Sequence, residues 1–294
     1  MKKSHTFNLP SESGRLILIG TPIGNLDDLS RRAAETLAEA DVICCEDTRR
    51  TGRLLMHIGV RHRPQLLRID DHTETSAIPK ISQMLTDGLT VVLVSDAGMP
   101  ILCDPGQRLV AEITAAGYPV SVVPGPSAGL TALVVSGLPA TRHVFEGYLP
   151  RKGINRTKRL KEIALESRTV ILFEAPHRLH ACLNDLVEVC GGDRRAVIAR
   201  ELTKMHEELI RGTLQELAAW AKEPVKGEIV VVFEGTSDES DVPSDEKLRE
   251  AILESLRLGL SRRDTATEVA KNYRVPRRRV YNLTIDTSVN HDLA

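Results

Sequence analysis

Short apolar runs alternate with amphipathic stretches over the first half of the chain, and this alternation restricts the fold more than any other feature. Four runs rich in Val, Ile and Leu occupy residues 16–19, 42–45, 91–94 and 120–123. After Asp28, apolar and small residues recur at helical spacing opposite a charged face: Leu29, Ala33, Thr36, Leu37 and Ala40. Strands buried on both faces that alternate with helices are typical of βαβ units, so the pattern predicts a mainly parallel sheet.

A second α/β series follows the break at Gly137-Leu138-Pro139. A strand near Val144, a basic helix and three further strands are predicted there, the strands over residues 169–173, 195–199 and 228–233. At 294 residues the chain is long enough for two compact domains. We therefore predict an N-terminal α/β domain over residues 1–138, a second α/β domain over 139–236, and a linker with a helical tail over 237–294.

The tail has a pattern of its own. Residues 236–245 are rich in Ser, Asp and Pro and lack periodicity, which predicts a linker. Two short helices are predicted over residues 265–273 and 277–284, with Arg274-Val275-Pro276 between them and the proline near a helix start. Two helices joined by such a turn are typical of a helix-turn-helix motif.

Composition excludes several classes of protein. The formal net charge is -1, so any contact with nucleic acid must come from local clusters of Lys and Arg. The five cysteines are an odd set without C-x-x-C spacing, which indicates a reduced cytosol rather than disulfides or a zinc site. No run approaches the roughly 20 apolar residues of a membrane span, and the first residues lack the apolar core of a signal peptide. We expect a cytoplasmic protein.

Several well-known catalytic motifs are missing from the sequence. Neither the Walker G-x-x-x-x-G-K-[ST] pattern nor the Rossmann G-x-G-x-x-G pattern occurs, and His177 and His180 lack the Glu of H-E-x-x-H. Nucleotide hydrolysis, NAD chemistry and zinc catalysis therefore lose their main support, and we expect no metal site.

Three loops at the predicted carboxyl ends of strands combine glycine, proline and small polar residues. They cover residues 20–25, 95–100 and 124–129. Ligands of a parallel sheet bind beyond the carboxyl ends of its strands, and rigid loops of this kind expose backbone groups to a polar ligand. Taken alone, the first loop is better explained as a structural turn. The two later loops, which occur in one sheet, together favour a cofactor site.

Charged residues follow the second apolar run, at Glu46, Asp47, Arg49 and Arg50. Arginine forks match phosphate oxygens and a carboxylate can remove a proton, so this set suits a phosphate-bearing substrate. The alternative is a helix cap formed by Asp47 or Thr48, with solvated arginines.

Two strands of the second domain also end in charged residues. Glu174 and Arg178 follow one strand, and Glu201 and Lys204 follow another. The alternative to a functional role is a pair of salt bridges. Gly227 precedes the last strand, where a glycine indicates either close approach of a ligand to the backbone or a bulge.

Two basic clusters are candidates for contact with nucleic acid. One contains Arg151, Lys152, Arg156, Lys158, Arg159 and Lys161, and the other contains Lys271, Arg274, Arg277, Arg278 and Arg279. Solvated helix faces are the usual explanation for such runs. Aromatic residues make up only 3% of the chain, so phosphate contacts and shape should dominate over base stacking if RNA binds.

The loops closely resemble those of the ribosomal RNA small subunit methyltransferase I family. The matching motifs occur in order between residues 15 and 235: Thr21-Pro22-Ile23-Gly24-Asn25-Leu26, Glu46-Asp47-Thr48-Arg49, Val94-Ser95-Asp96-Ala97-Gly98, Asp104-Pro105-Gly106, Pro124-Gly125-Pro126-Ser127-Ala128, Gly137-Leu138-Pro139, Glu146-Gly147-Tyr148-Leu149-Pro150, Pro176-His177-Arg178 and Ala199-Arg200-Glu201-Leu202-Thr203-Lys204. The resemblance implies a class III methyltransferase fold of two α/β domains with S-adenosylmethionine bound in the cleft between them. It also implies a homodimer that methylates the ribose 2′-oxygen of a decoding-centre cytidine in 16S rRNA.

The resemblance also implies a set of cofactor-binding residues. Carried over by position, they are Thr21, Pro22, Gly24, Asp96, Ala97, Gly98, Met99, Pro124, Gly125, Ser127, Ala128, Phe173, Glu174, Leu202, Thr203, Gly227, Glu228 and Ile229. Met99 and Cys103 depart from the family pattern, in which Thr and a small polar residue are expected. Met99 preserves backbone contacts but removes a side-chain hydroxyl.

Methylation of a ribose hydroxyl requires alignment of the oxygen with the sulfonium methyl and a group that removes the proton. The candidate bases are Glu46, Asp47, Glu174 and Glu201, which the sequence does not rank. The candidate substrate-binding residues are Arg49, Arg50, His72, Arg151, Lys152, Arg178 and Lys204. The alternative functions are a small-molecule tetrapyrrole methylase of the same fold and a non-catalytic RNA-binding assembly factor.

Overall fold

A computed structural model describes residues 14–62, 64–236, 245–273 and 275–289, which divide into two compact units, one ending at Gly235 and the other beginning at Thr236. The first unit contains two five-stranded sheets, and the second contains helices. The predicted fold class, two α/β domains followed by a helical element, is confirmed. The boundary at residue 138 stays a prediction. Among the described residues, no helix combines the length and the apolar character that crossing a membrane requires.

The first sheet is parallel throughout, with the strand order β3-β2-β4-β1-β5. Its strands are β1 Arg15–Ile19, β2 Val42–Cys45, β3 Gln65–Arg68, β4 Thr90–Val94 and β5 Val120–Val123. The helices that connect and follow them are α1 Arg31–Glu39, α2 Thr48–His57, α3 Glu74–Thr86, α4 Gln107–Ala115 and α5 Ala128–Ser136. The four predicted strands and the helix after Asp28 are present, whereas β3 was not predicted.

Alternate side chains of the central strands enter two different cores. Leu16 packs in a cluster with Leu93 and Leu109, while Ile17 packs in the cluster on the opposite face. The prediction that all four runs are buried on both faces is wrong for β5. Ser121 and Val122 are exposed because β5 lies at the edge of the sheet.

The second sheet is mixed, with the order β6-β7-β10-β8-β9. β6 and β7 are parallel, and the other neighbours are antiparallel. The strands are β6 His143–Tyr148, β7 Thr169–Glu174, β8 Arg195–Arg200, β9 Glu208–Thr213 and β10 Ile229–Phe233, and the helices are α6 Ile154–Ala164, α7 Leu179–Cys190 and α8 Leu214–Trp220. β9 was not predicted. The register of β6 shifts between Phe145 and Gly147.

Helix α5 joins the two sheets into one unit. It follows β5 of the first sheet, yet Ala132 and Leu133 pack with Ile171, Val230 and Val232 of the second. Helices α6, α7 and α8 cover the opposite face of that second sheet, over a cluster of buried apolar residues that includes Phe233. The carboxyl ends of β1 and β4 therefore lie near the second sheet, which places a cleft between the sheets.

The tail unit consists, in its described part, of α9 Asp245–Arg257, α10 Arg262–Asn272 and α11 Arg277–Val289. Its core is its own, with Ile252 of α9, Val269 of α10 and Val280 of α11 in one buried cluster. The two predicted helices are present with longer bounds, and α9 was missed. Most of the predicted linker, residues 237–244, lies outside the described residues, as does Arg274.

Candidate active site

The loops after β1 and β4 are paired through their backbones. Thr21 donates its N–H to the Gly98 carbonyl at 2.9 Å, and Gly98 donates in return to the Thr21 carbonyl at 3.1 Å. The Thr21 hydroxyl also donates to the Ser95 carbonyl at 3.2 Å. Thr21 therefore holds in place the loop that contains Asp96, Ala97 and Gly98.

Close packing of glycines joins the third loop to the first. A Cβ atom on Gly125 would lie 2.5 Å from the Gly20 carbonyl oxygen. Gly24 packs against the loop after β8, since a Cβ there would lie 2.6 Å from the Thr203 hydroxyl oxygen and 2.8 Å from the Leu202 carbonyl oxygen. Gly24 and Gly125 therefore serve the packing of the loops.

A cleft of about 560 Å³ opens beside these loops. Most of the predicted cofactor-binding residues line it: Asp96, Ala97, Gly98, Met99, Ser127, Ala128, Phe173, Glu174, Leu202, Gly227, Glu228 and Ile229. The others do not line it: Thr21, Pro22, Gly24, Pro124, Gly125 and Thr203. Thr21 and Pro22 instead line a neighbouring hollow of about 340 Å³, which Asp96 and Arg50 border as well.

Several lining residues were missed by the sequence reasoning. Phe145 and Tyr148 of β6 both pack edge-to-face on Phe173, with ring centroids 5.1 and 5.7 Å apart. Cys103 and Asp104 reach the cleft from the end of the loop after β4. The signal for Tyr148 and Asp104 was present, since both belong to motifs that carry the family resemblance.

Glu174 is the most buried of the four candidate bases, with 2% of its surface exposed. Its Oε1 atom accepts the Ala175 N–H at 2.8 Å and lies 3.3 Å from Arg178 Nε. Its Oε2 atom has no hydrogen-bond partner among the described residues. The salt bridge with Arg178, the alternative to a functional role, is thus present, and the second carboxylate oxygen is buried without a hydrogen-bond partner in the described residues.

Glu201 is held by two donors. Its Oε1 atom accepts Lys204 Nζ at 2.7 Å and the Glu228 N–H at 2.8 Å. The hydrogen bond from Lys204 holds the pKa of Glu201 below its usual range. The salt bridge with Lys204, which was the alternative to a functional role, is therefore present. Glu201 also holds the segment that precedes β10.

Asp47 caps α2, as the alternative to a catalytic role predicted. Its Oδ1 atom accepts the Arg49 N–H at 2.8 Å, and Oδ2 accepts Arg49 Nη2 at 2.8 Å. The Arg49 guanidinium holds the pKa of Asp47 far below its usual range. A carboxylate so committed is a weak base.

Glu46 and Arg50 converge on Asp96. Glu46 Oε1 accepts the Asp96 N–H at 3.4 Å, and Arg50 Nε lies 3.5 Å from Asp96 Oδ2. Burial, followed by the charge of Asp96, raises the pKa of Glu46. Glu46 itself does not line the cleft, whereas Arg50 does.

In the described part of the chain, no group of three or more His, Cys, Asp or Glu side chains could hold a metal ion.

The candidate substrate-binding residues are spread over several places. Arg151 and Arg178 line a separate hollow of about 350 Å³ together with His177. Lys204 is occupied by Glu201 and by Glu228, whose Oε2 lies 3.1 Å away. Lys152, Arg49 and His72 are exposed and do not line the cleft.

Loops from two sheets, each packed against helices, meet at this cleft. The family model of the tetrapyrrole (corrin/porphyrin) methylases matches residues 15–218 of the chain. The ribosomal RNA small subunit methyltransferase I of Mycobacterium tuberculosis (strain CDC 1551 / Oshkosh) is 47% identical over 258 residues, which cover 88% of this chain and 90% of that protein. The chain belongs to the ribosomal RNA small subunit methyltransferase I family within the tetrapyrrole methylases.

A further relative supports the family, and a solved structure supports the fold. The Thermotoga maritima protein of the same name is 46% identical over 223 residues, which are 76% of this chain and 99% of that relative. The fold matches a uroporphyrin-III C-methyl transferase from Thermus thermophilus complexed with S-adenyl homocysteine, with a TM-score of 0.53, 18% identity, and coverage of 74% of this chain and 97% of that one.

Proposed function

We propose that this protein transfers a methyl group from S-adenosylmethionine to the ribose 2′-hydroxyl of a decoding-centre cytidine in 16S rRNA. The observation that carries the proposal is the cleft, because it gathers loops of both sheets that resemble the family's cofactor loops. The name shared by the relatives at 38–47% identity supports small-subunit rRNA as the substrate. We also propose that the rRNA is methylated within a small-subunit particle and that the protein works in the reduced environment of the cytoplasm.

The cleft fits the cofactor in size and in chemistry. Its volume of about 560 Å³ lies within the usual range of ligand pockets. Ile23, Phe173 and Leu202 give it an apolar wall suited to an adenine ring. The unpartnered Oε2 atom of Glu174 is a buried acceptor, and S-adenosylmethionine offers hydroxyl and amino donors.

The bound cofactor would supply an electrophilic methyl group on a sulfonium. The protein must then hold the acceptor oxygen in line with that methyl carbon and keep competing water away. The edge-to-face packing of Phe145 and Tyr148 on Phe173 gives a rigid apolar wall for that purpose. Met99 lines the cleft with an apolar side chain where the family pattern has Thr.

Several arginines suit contacts with an RNA backbone. Arg50 lines the cleft with its side chain 54% exposed, and Arg151 and Arg178 line the separate hollow of about 350 Å³. In the tail, Arg277 and Arg278 are exposed in the first turn of α11. Guanidinium groups bind phosphate oxygens in pairs, so these positions fit contacts to RNA phosphates.

A homodimer is supported by an apolar surface around α5 and β5. Val134 is 73% exposed, and Leu130 of the same helix and Val122 of β5 are about half exposed. Exposed apolar patches of this kind mark protein interfaces. We propose that a second copy of the chain covers them.

The experiment that tests this function offers the protein three acceptors together with S-adenosylmethionine labelled in its methyl group. The acceptors are small ribosomal subunits without their native decoding-centre methylation, protein-free 16S rRNA and a uroporphyrinogen. We expect labelled RNA in at least one of the first two. Labelling of the tetrapyrrole alone would support the small-molecule methylase, and RNA binding without labelling of any acceptor would support the assembly factor.

A further inference from the structure

Asp104 lies among carboxylates on one wall of the cleft. It lines the cleft with Asp96 and Arg50, while Glu46 and Asp71 are charged neighbours. Glu46 follows β2, Asp71 follows β3, and Asp96 and Asp104 belong to the loop after β4. Three neighbouring strands of the parallel sheet thus direct negative charge to one place.

These neighbours change the acidity of Asp104. Burial, followed by the negative charges of Glu46 and Asp96, raises the pKa of Asp104 to about 7. Asp71 acts in the same direction, and a hydrogen bond from Ser95 acts against it. Within the described part of the chain, no Lys, Arg or His nitrogen lies within 4.0 Å of its carboxylate. Arg50, which lines the same cleft, is paired with Asp96.

The loop that carries Asp104 has an unfavourable backbone conformation. Ile101 and Cys103 have φ angles of 76° and 73°, in the left-handed region that non-glycine residues avoid. For a β-branched residue such as Ile101 this conformation is sterically unfavourable. Such a loop persists only where its surroundings fix it.

Glu74 fixes the end of that loop. It is the first residue of α3 and is 6% exposed. Its Oε1 atom accepts the N–H of Gly106 at 3.1 Å and that of Leu109 at 2.9 Å. Gly106 has a φ of 124°, and a Cβ on it would lie 2.7 Å from Leu93 Cδ2 of β4. The residues directly after Asp104 are therefore held against α3 and β4.

The other carboxylates are less suited to proton transfer. Asp47 and Glu201 are held by cations, and Glu46 does not line the cleft. Glu174 lines the cleft, but it is paired with Arg178 and fits a cofactor donor. Asp104 alone among these five combines an open position on the cleft with the absence of a cation partner in the described residues.

We propose that Asp104 accepts the proton of the acceptor hydroxyl during methyl transfer, and that Glu74 positions the loop that carries it. The inference rests on the proposed methyltransferase function. As the ribose oxygen forms its bond to the methyl carbon, the carbon–sulfur bond breaks and its electron pair stays on sulfur. The hydroxyl proton passes to the Asp104 carboxylate, which afterwards releases it to water.

The test compares Asp104→Asn with the wild type in methyl transfer to small ribosomal subunits over pH 5.5 to 9. In the wild type, kcat/KM should rise with pH and level off near pH 7, where the base is ionised. In Asp104→Asn the rate should fall by about 10²–10⁴-fold and lose this inflection. Binding of S-adenosylmethionine, measured by calorimetry, should be unchanged. Asp193→Asn makes the same change at an exposed position away from the cleft and should behave as the wild type.

A variant within about threefold of the wild type, or one that keeps the inflection, would overturn the role of Asp104. If the wild type methylates another acceptor and not RNA, the proposed function fails, and the same comparison on that acceptor still tests the base. Unfolding provides a readout without any acceptor. Since the folded pKa is raised, the wild type loses stability as pH rises from about 4, where the unfolded chain ionises, to about 7, where the folded carboxyl ionises, and the loss is complete above that. Asp104→Asn should therefore be more stable than the wild type at pH 8 and equal to it below about pH 4.

The role of Glu74 is tested by a pair of variants. Glu74→Gln keeps an oxygen that can accept both N–H groups, and Glu74→Ala does not. We expect Glu74→Ala to lower kcat with the pH inflection retained and cofactor binding unchanged, and Glu74→Gln to restore kcat. Both variants are first checked for thermal unfolding. Equal kcat values for two folded variants would overturn the positioning role.

Discussion

The contact between Gly20 and Gly125 provides a sharp test of how the cofactor loops are joined. A Cβ on Gly125 would lie 2.5, 2.8 and 2.9 Å from the carbonyl oxygen, carbonyl carbon and Cα of Gly20. All three atoms are backbone, so no side chain can rotate away. Neither glycine has a positive φ angle, which makes the contact the cause of any strain.

Gly125→Ala should therefore lower the free energy of unfolding by about 1–3 kcal/mol, the usual cost of overpacking. Ser127 and Ala128 follow on the same loop and line the cleft, so separation of the loops should also weaken binding of S-adenosylmethionine. Each 1.4 kcal/mol lost from binding is about tenfold in Kd. Urea unfolding measures the first effect and calorimetry the second.

Gly52→Ala is the matched control for this change. Gly52 lies within α2, and a Cβ there would have nothing within 4 Å. The same substitution should therefore stabilise the protein by about 0.5–1 kcal/mol, because alanine favours the helix. If Gly125→Ala were as stable as the wild type and bound the cofactor equally well, the packing of the two loops would be refuted.

Three further predictions concern the tail, a surface helix and an ion pair. Removal of residues 236–294 should leave cofactor binding intact. It should weaken binding of ribosomal subunits by about tenfold and reduce the salt dependence of binding, because exposed arginines are lost. Unchanged affinity in a filter-binding assay would contradict this. Val134→Lys should convert a dimer into a monomer in analytical ultracentrifugation, and a persistent dimer would exclude this face as the interface. The Arg168 side chain lowers the pKa of Glu166 to about 2. In urea unfolding, Glu166→Gln should therefore be less stable than the wild type above about pH 5, and the difference should disappear as pH falls towards 2. A difference that does not depend on pH would exclude the ion pair as its source.

The central strands could be predicted because burial on both faces leaves a run of apolar residues. The two missed strands, β3 and β9, lie at the edges of their sheets, where fewer side chains are buried. β5 is also an edge strand, and its valines predicted burial that the single chain does not provide. Helix α9 was missed although Leu248 and Ile252 stand one helical turn apart, so that signal was available.

The site could be predicted only as a set of loops. Most of the cofactor-binding residues that the resemblance implied line the cleft, although many other lining residues were not among them. The alternatives of a helix cap and salt bridges correctly described Asp47, Glu174 and Glu201. The position of Asp104 depends on carboxylates that follow other strands, and no local pattern shows their approach. The division of labour between Gly125, which packs, and Ser127, which lines the cleft, likewise depends on three-dimensional contacts.

The most direct test of the account is the chemical identity of the methylated nucleoside. Small ribosomal subunits labelled by the protein with S-adenosylmethionine are digested to nucleosides and separated by mass spectrometry. We predict that the label is recovered as 2′-O-methylcytidine. A label on a base, or on the ribose of another nucleoside, would contradict the proposed reaction.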